Sequence, residues 1–359
     1  MFQLLPLPVL LALAVVTPVS AAPSLVLPRN VTTLVDRAVT TLSAGAIASF
    51  APYTEFAAAA YCPDGIANWE CGDACSATGD FQLSAHGGDG GDVQYYYVGW
   101  SPSLSTIIVA HQGTDPTQFE SVLTDIDFPQ DSLDATLFPG VPSGARVHGG
   151  FRDAHADTAT AVLAAVRALI TAQNTNSVTA VGHSLGGAIA ELDAVFLKLN
   201  IPDADVKAVT FGKPRVGNPE WAEFVDAKVD GFTRINNKKD LVPILPGRGL
   251  GFSHPEGEVH IVEDGVWVEC PGNDDADDDE CTIQTVPNIF EGNIIDHVSD
   301  LSYILDDCGT NRGSVSLVLT PAFTSALSRA ECWEEYRYEE MLCLWCEPLV
   351  LLSRRASNM

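Results

Sequence analysis

The pattern of hydrophobic and polar positions predicts strands and helices along most of the chain. Two runs of β-branched and aromatic residues, 93–100 and 106–110, predict neighbouring strands. Residues 151–173 carry apolar side chains at helical spacing without glycine or proline, which predicts a long helix. The alanine-rich stretch 31–60 predicts a second long helix, and the glycine- and cysteine-rich segment 63–91 predicts a disulfide-stapled loop.

The segment from residue 177 onward shows the clearest alternation of short strands and helices. The predicted strands are 177–181, 206–211 and 232–236, and the predicted helices are 187–199 and 219–229. Strands that alternate with helices at this spacing are typical of a parallel sheet covered by helices. The sequence therefore predicts an α/β fold with a mostly parallel central sheet.

The composition indicates a globular protein whose charge excludes several classes of partner. Apolar residues make up 46% of the chain and charged residues 18%, which supplies ample core material and excludes a disordered chain. Lys and Arg number 19 against 47 Asp and Glu, a formal net charge of −28. Nucleic-acid phosphates and anionic membranes repel such a polyanion. We therefore expect neutral or apolar partners and no nucleic acid.

The first 21 residues predict a secretory signal, so we expect a secreted, extracellular protein. Residues 4–16 are apolar and uncharged, and Val19 and Ala21 place small side chains before a cleavage site. No other segment has the roughly 18 uninterrupted apolar residues of a transmembrane helix. The sequon at Asn30 predicts N-glycosylation close behind the new N-terminus.

Cysteine usage favours disulfides over metal binding. The chain has nine cysteines, and an exported chain with many cysteines typically pairs them. Cys343 and Cys346 form a C-x-x-C pair, but no second pair at zinc-site spacing lies beside them. The acidic segment 273–280 lacks the ligand spacing of an EF-hand and is expected to be a solvated loop. We expect neither a metal nor an organic cofactor.

The motif Gly-His-Ser-Leu-Gly at residues 182–186 is the strongest candidate for chemistry. It lies between a predicted strand and a predicted helix, which is the context of a nucleophile elbow. Such a turn exposes its serine at the carboxyl edge of the sheet, so Ser184 is the candidate nucleophile. The N–H of Leu185, at the start of the helix, points to where a tetrahedral oxyanion would form.

A serine nucleophile needs a base, and the base needs an acid that orients it. In this architecture the acid and then the histidine follow the serine along the chain. Asp240 follows the strand 232–236 after a short loop, which makes it the candidate acid. His254 and His297 are nearly equal candidates for the base on spacing alone, so the residues by themselves leave that choice open.

With these residues in place, the sequence resembles the class 3, or fungal-type, triacylglycerol lipases of the α/β-hydrolase superfamily, a family that also includes feruloyl esterases. The resemblance covers residues 57–308 and rests on motifs that occur in the family's order. These motifs are 60–62 (AYC), 111–114 (HQGT), 147–151 (VHGGF), 182–187 (GHSLGG), 211–218 (FGKPRVGN), 240–243 (DLVP), 251–254 (GFSH) and 296–297 (DH).

The resemblance implies roles for the remaining site residues. His297 matches the catalytic base, whereas His254 matches a non-catalytic position. Thr114 matches the second oxyanion position, which would act together with Leu185. The family usually has arginine where this chain has Gln112, so any ion pair made by that arginine is missing here.

The resemblance also implies three disulfides and a lid. The implied disulfides are Cys62–Cys308, Cys71–Cys75 and Cys270–Cys281. The lid would occupy residues 115–127, where Phe119, Val122 and Leu123 share one face of a short helix. We expect that face to cover the acyl site in water and to turn outward at an oil surface. A fixed surface helix that buries the same three side chains is the alternative.

The expected organisation is a signal peptide at 1–21, an α/β-hydrolase domain at 22–309 and an extension of unknown role at 310–359. The expected function is that of a secreted, monomeric triacylglycerol lipase acting on lipid esters at an oil–water interface. A feruloyl or other soluble-ester esterase is the first alternative, and a phospholipase A1 follows. A non-catalytic lipid-binding relative is the last alternative, since such relatives usually lose a catalytic residue and Ser184, Asp240 and His297 are all present.

Overall fold

A nine-stranded sheet organises the part of the chain that the computed structural model describes, residues 38–114, 129–274 and 277–298. Across this sheet the strand order is β1-β11-β10-β9-β8-β7-β4-β3-β2, while β5 pairs with β6 separately. The strands are β1 (Thr40–Thr41), β2 (Gln82–Gly87), β3 (Tyr96–Ser101), β4 (Thr106–His111), β5 (Gln130–Asp131), β6 (Val147–His148), β7 (Ser177–His183), β8 (Asp205–Phe211), β9 (Gly231–Asn237), β10 (Glu258–Glu263) and β11 (Val266–Cys270).

The centre of the sheet is parallel and its edges are antiparallel. Parallel pairs join β4 to β7, β7 to β8, β8 to β9, and β9 to β10. The outer pairs on both sides run antiparallel. The mostly parallel sheet that the sequence predicts is therefore confirmed. Because parallel strands end at the same edge, the residues that follow β4, β7, β8 and β9 meet there.

Helices pack on both faces of the sheet. They are α1 (Ala44–Ala48), α2 (Ala51–Ala59), α3 (Pro63–Ile66), α4 (Gly72–Ala77), α5 (Gly149–Gln173), α6 (Leu185–Asn200), α7 (Pro219–Lys228) and α8 (Thr282–Thr285), and residues 294–298 are also helical. Ile107 and Val109 of β4 share a core with α5, α6 and α7. Ile108 and Ala110 point to the other face, where they share a core with α2 and α4.

A buried cluster of titratable side chains joins the end of β4 to α5 and α6. Oδ2 of Asp193 lies 2.6 Å from Nε2 of His111, and Oδ1 lies 3.2 Å from Nε2 of His155. Burial alone would raise the pKa of Asp193, but His111 and His155 together bring it below its ordinary value. The cluster fixes the strand that leads to Gln112, Gly113 and Thr114.

The amino-terminal helix predicted over residues 31–60 is instead broken into α1 and α2 and preceded by β1. Pro52 lies in the first turn of α2, where its missing N–H needs no partner; inside a continuous helix it would remove a hydrogen bond. The Ser49 hydroxyl donates to the carbonyl oxygen of Ala46 at 2.6 Å where α1 ends. Residues 31–37 lie outside the described part.

The segment 63–91, which the sequence predicts as a loop, contains more regular structure than expected. It holds α3, α4 and the edge strand β2, while the Cys71–Cys75 disulfide closes α4 onto its own start. The hairpin of β10 and β11 extends the opposite side of the sheet and was not predicted either. Both additions lie at or near the edges of the sheet.

Two of the three disulfides that the resemblance implies lie in the described residues. Cys71–Cys75 has a Cα–Cα distance of 5.2 Å, and Cys270–Cys281 joins the end of β11 to the start of α8 at 5.9 Å. Cys62 is also disulfide-bonded. No described helix combines the length and the apolar character that crossing a bilayer requires.

Candidate active site

Ser184 lies at the sharp turn between β7 and α6. Its backbone has φ 57° and ψ −129°, a conformation that L-residues with a Cβ rarely adopt. Its N–H donates to the carbonyl oxygen of Phe211 at 2.9 Å, which ties the turn to the end of the neighbouring strand β8. The predicted strand–turn–helix context of the serine is therefore present, with backbone strain at the serine itself.

Two glycines of the motif permit the close approach that this turn requires. A Cβ at Gly182 would collide with the carbonyl oxygen of Gly186, where the strand passes the start of α6. A Cβ at Gly186 would collide with the carbonyl oxygen of His111 at the end of β4. The first turn of α6 therefore packs directly against two strand ends, and this packing places Ser184 at the carboxyl edge of the sheet.

Asp240 and His297 form a buried hydrogen-bonded pair at the same edge. Asp240 follows β9 after two residues, and His297 lies in the helical residues 294–298. Oδ2 of Asp240 accepts a hydrogen bond from Nδ1 of His297 at 2.7 Å, while its Oδ1 accepts one from the N–H of Val242 at 2.8 Å. Since the carboxylate engages Nδ1, Nε2 is the ring nitrogen through which a proton can be exchanged.

Burial shifts the pKa of both members of this pair. It lowers the pKa of the His297 imidazole, because the charged ring loses its hydration. It raises the pKa of the Asp240 carboxyl, while the N–H of Val242 opposes that rise. A neutral imidazole at neutral pH is the form that can accept a proton from a serine hydroxyl.

Gly212 makes room for the pair. It follows β8 with a φ of +53°, a backbone conformation that favours glycine. A Cβ at this position would lie 2.7 Å from Oδ2 of Asp240 and 2.9 Å from Nδ1 of His297. Any larger residue would therefore push the carboxylate and the imidazole out of their present positions.

His183, the residue before Ser184, is hydrogen-bonded to the main chain of His297. Burial lowers the pKa of His183, so its ring is neutral and carries one hydrogen. The carbonyl oxygen of His297, 3.0 Å from Nε2, can only accept, so that hydrogen is on Nε2. Nδ1 must then accept from the hydroxyl of Tyr61 at 2.9 Å. The rings of His183 and His297 lie 4.4 Å apart.

The end of β4 packs against the serine turn, and each of these two segments leads to one of the expected oxyanion donors. A Cβ at Gly113 would lie 3.1 Å from Cβ of Ser184. Thr114 comes next and is partly exposed, while Leu185 opens α6, where N–H groups lack a partner within the helix. The side chain of Gln112 is buried and its Oε1 accepts from the N–H of Tyr95 at 3.4 Å, so it engages the adjoining backbone.

His254, the other histidine that spacing leaves open, has both ring nitrogens engaged elsewhere. Nδ1 accepts from Nζ of Lys213 at 2.9 Å, and Nε2 donates to the carbonyl oxygen of Pro243 at 2.8 Å. Lys213 is itself paired with Glu191 at 2.6 Å. Burial and the neighbouring Lys213 lower the pKa of His254. This geometry favours His297 over His254 as the base.

Several expected features lie outside the described residues. They are the signal at 1–21, the lid residues Phe119, Val122 and Leu123, the glycosylation site Asn30, the cysteine Cys308, and the extension at 310–359.

One group of possible metal ligands converges in the described ranges, namely Glu258, Cys270 and Cys281. The two cysteines are bonded to each other, so neither offers a thiolate. The Glu258 carboxylate accepts from Arg234 at 2.8 Å and from the N–H of Thr282 at 2.8 Å. These contacts give the carboxylate a structural role and do not support a metal site.

Sequence comparisons identify the family of the chain. The profile of the class 3 lipases matches residues 108–250. A secreted mono- and diacylglycerol lipase of Malassezia globosa is 34% identical over 233 residues, which cover 64% of this chain and 75% of that relative. The chain belongs to the class 3 lipase family. A second such Malassezia globosa enzyme is 37% identical over 196 residues, 54% of this class 3 lipase and 62% of the relative. That match spans less than two thirds of the relative.

Solved structures with a similar fold include lipases. The Rhizomucor miehei lipase propeptide complex superposes with a TM-score of 0.65 and 28% identity, covering 76% of this chain and 84% of that one. A triacylglycerol lipase whose catalytic centre is described as a serine protease triad superposes with a TM-score of 0.64 and 28% identity. The match covers 73% of this chain and 96% of that one. The class 3 lipase described here therefore has the α/β-hydrolase fold, as expected.

Reasoning from the sequence did not single out Tyr61, His183 and Gly212 as functional residues. All three occur in motifs that carry the family resemblance, in 60–62, 182–187 and 211–218. A motif marks a region, but it does not show which of its members contacts His297. These contacts can be read only from the folded structure, in which β7, β8 and the 294–298 segment meet at one edge of the sheet.

Proposed function

We propose that this class 3 lipase hydrolyses the carboxylic ester bonds of acylglycerols through an acyl-enzyme formed on Ser184. The observation that carries the proposal is the buried Asp240–His297 pair at the sheet edge where Ser184 occupies a strained turn. A nucleophile after β7, an orienting acid after β9 and a base in the 294–298 segment supply the parts of serine-dependent acyl transfer.

In the proposed reaction, Nε2 of His297 takes the proton from Oγ of Ser184 as that oxygen attacks the ester carbonyl carbon. The N–H groups of Thr114 and Leu185 stabilise the oxyanion that forms. The ester C–O bond then breaks, and the alcohol leaves with the proton that His297 held. Water attacks the acyl-enzyme and gives a proton to His297, the fatty acid leaves, and Ser184 regains its hydrogen. Asp240 orients the ring and stabilises its protonated form.

Mono- and diacylglycerols are the substrates that we place first. Both of the Malassezia globosa relatives described above are secreted lipases of that class. Triacylglycerols, which the sequence resemblance suggests, are the second candidate, and the structural likeness to a triacylglycerol lipase favours them. Feruloyl esters and phospholipids rank lower, and the net charge of −28 disfavours anionic phospholipid surfaces.

We also propose that the protein is secreted and acts as a monomer, with its catalytic domain in residues 22–309. Secretion is supported by the apolar start of the sequence and by the secreted relatives. If the signal is cleaved as expected, N-terminal sequencing of the secreted protein starts at Ala22. A protein that stays inside the cell with its first 21 residues would contradict this proposal.

The experiment that tests the function compares monoolein, diolein and triolein as substrates for the secreted full chain and for Ser184→Ala. Fatty-acid release is followed through the solubility limit of each lipid. We expect release from the partial acylglycerols, and a loss of at least about 1,000-fold in Ser184→Ala. Release from phenolic esters alone, or equal rates for both proteins, would overturn the proposal.

A further inference from the structure

Three large apolar side chains are exposed on the segment that leads to His297. In the described ranges the exposed large hydrophobic residues number four, and three of them fall between residues 289 and 295. Phe290 is 76% exposed, Ile289 50% and Ile295 44%. We call these three residues the 289–295 patch.

The segment that carries the patch is held firmly by its own polar groups. Oδ1 of Asn288 accepts from the N–H of Phe290 at 2.9 Å, and its Nδ2 donates to the carboxylate of Glu291 at 2.8 Å. The N–H of Asn293 donates to the carbonyl oxygen of Lys239 at 2.6 Å. Upstream, Val286 is completely buried. The exposure of Phe290 therefore comes from a fixed turn that presents the ring outward.

The patch is connected directly to the candidate acid and base. Lys239, whose carbonyl oxygen accepts from Asn293, immediately precedes Asp240. Ile295 lies two residues before His297. A Cβ at Gly292 would lie 2.5 Å from Cβ of Leu241, so the turn packs closely against the residue that follows Asp240. A surface that contacts the patch is therefore brought next to the site.

The charge of the chain selects among the surfaces that could cover the patch. Exposed apolar side chains gain free energy on leaving water, so the occupant that covers them must itself be apolar. Glu291 lies inside the patch sequence, and the whole chain carries a net charge of −28, which disfavours anionic membranes. An uncharged oil surface meets both conditions.

We propose that the 289–295 patch docks this lipase on the surface of uncharged acylglycerol droplets, with Phe290 inserted into the oil. This inference rests on the proposed function, since it names where that function meets its substrate. Docking through the patch holds the His297 segment at the interface, so acylglycerol molecules reach Ser184 without first dissolving in water.

Droplet flotation tests the proposal with the full chain. In a Ser184→Ala background, which leaves the oil intact, the partition onto diolein droplets is compared before and after adding Ile289→Ser with Phe290→Ser. Leu250→Ser is the matched control, because Leu250 is 57% exposed but lies outside the patch. We expect roughly a tenfold or larger loss of binding in the double variant, and less than a twofold loss in the control. Unchanged melting temperatures show that the variants fold.

Two further readouts separate the possible failures. With Ser184 present, the double variant should keep the wild-type rate on a dissolved short-chain ester while losing rate on droplets. Equal droplet binding by the double variant and its parent would overturn the proposal. A loss of binding in Leu250→Ser equal to that of the double variant would also overturn it. Self-association of the wild type that the double variant abolishes would also overturn it, because the occupant would then be a second copy. A wild type that hydrolyses no ester would defeat the proposed function instead. Flotation measures droplet binding without hydrolysis, so it tests the patch separately from the proposed function.

Discussion

Ser184 is a residue at which function and stability are in opposition. Its φ of 57° and ψ of −129° place a side chain where L-residues are strained, and such strain amounts to about 1–3 kcal/mol. The turn persists because Gly182 and Gly186 allow the strand and the helix to approach so closely. The strain brings the hydroxyl to the carboxyl edge of the sheet, which is what a nucleophile requires.

Replacing Ser184 with glycine should relieve this strain. Ser184→Gly and Ser184→Ala both remove the hydroxyl, but only the glycine variant loses the Cβ. We expect Ser184→Gly to have a free energy of unfolding about 1 kcal/mol above that of Ser184→Ala, after the entropy of glycine is subtracted. Denaturant titration of the two inactive variants measures the difference. A free energy of unfolding lower for Ser184→Gly than for Ser184→Ala would contradict backbone strain at this position.

The pKa of His297 predicts where activity is lost in acid. The base works only when neutral, and burial lowers its pKa below the ordinary value of about 6.5. Protonation, and with it the loss of activity, is therefore shifted to lower pH. We expect the acid limb of kcat/KM on a dissolved ester to lie below pH 6.5. A limb above pH 6.5 would show that the carboxylate of Asp240 outweighs the effect of burial.

The hydrogen bonds from Tyr61 through His183 to His297 join three elements of the fold. Tyr61 follows α2, His183 ends β7, and His297 belongs to the 294–298 segment. The hydroxyl of Tyr61 donates to Nδ1 of His183, which supports the tautomer whose Nε2–H donates to the main chain of His297. The proposed base is thereby positioned by an element distant from it in the sequence.

Tyr61→Phe should weaken this positioning. It leaves a buried acceptor nitrogen without its donor, which costs about 1–3 kcal/mol of stability. We expect kcat on a dissolved ester to fall about tenfold or more with a smaller change in KM, since the base is displaced. Tyr97→Phe is the matched control, because it removes another buried hydroxyl, the donor to the carbonyl oxygen of Phe56 at 2.6 Å. Equal kcat values in the two variants would show a purely structural role for Tyr61.

The central strands could be predicted from the sequence, whereas the edge strands could not. Strands such as β4 and β7 are buried on both faces and therefore form apolar runs. By contrast, β2 has alternating exposed and half-buried residues and lies in a region dominated by glycine and cysteine signals. The break between α1 and α2 was missed because alanine content outweighed the effect of Pro52.

The candidate site shows the same limit of sequence reasoning. The strand–turn–helix pattern around Ser184 is local, so the sequence alone could identify it. The choice between His254 and His297 depends on contacts across the sheet, and spacing could not settle it. The contact with Lys213 reveals that His254 is engaged elsewhere. In the sequence, only the family resemblance favours His297.

At the scale of the whole molecule, the net charge of −28 acts on every approach to a surface. At about 0.1 M salt this field extends roughly 10 Å into solution. We therefore expect phosphatidylglycerol added to a diolein emulsion to slow hydrolysis, and added salt to restore the rate. An equal fraction of phosphatidylcholine is the control for dilution of the substrate. Faster hydrolysis on the anionic emulsion would contradict this reading of the charge.

The central claim is that Ser184, activated by His297 and Asp240, is the nucleophile. Covalent labelling with a p-nitrophenyl phosphonate, located by peptide mass spectrometry, tests this most directly. The account predicts one adduct, on Ser184, that is absent in Ser184→Ala and forms about 10,000 times more slowly in Asp240→Asn. An adduct on another residue, or labelling of Asp240→Asn at the wild-type rate, would contradict it.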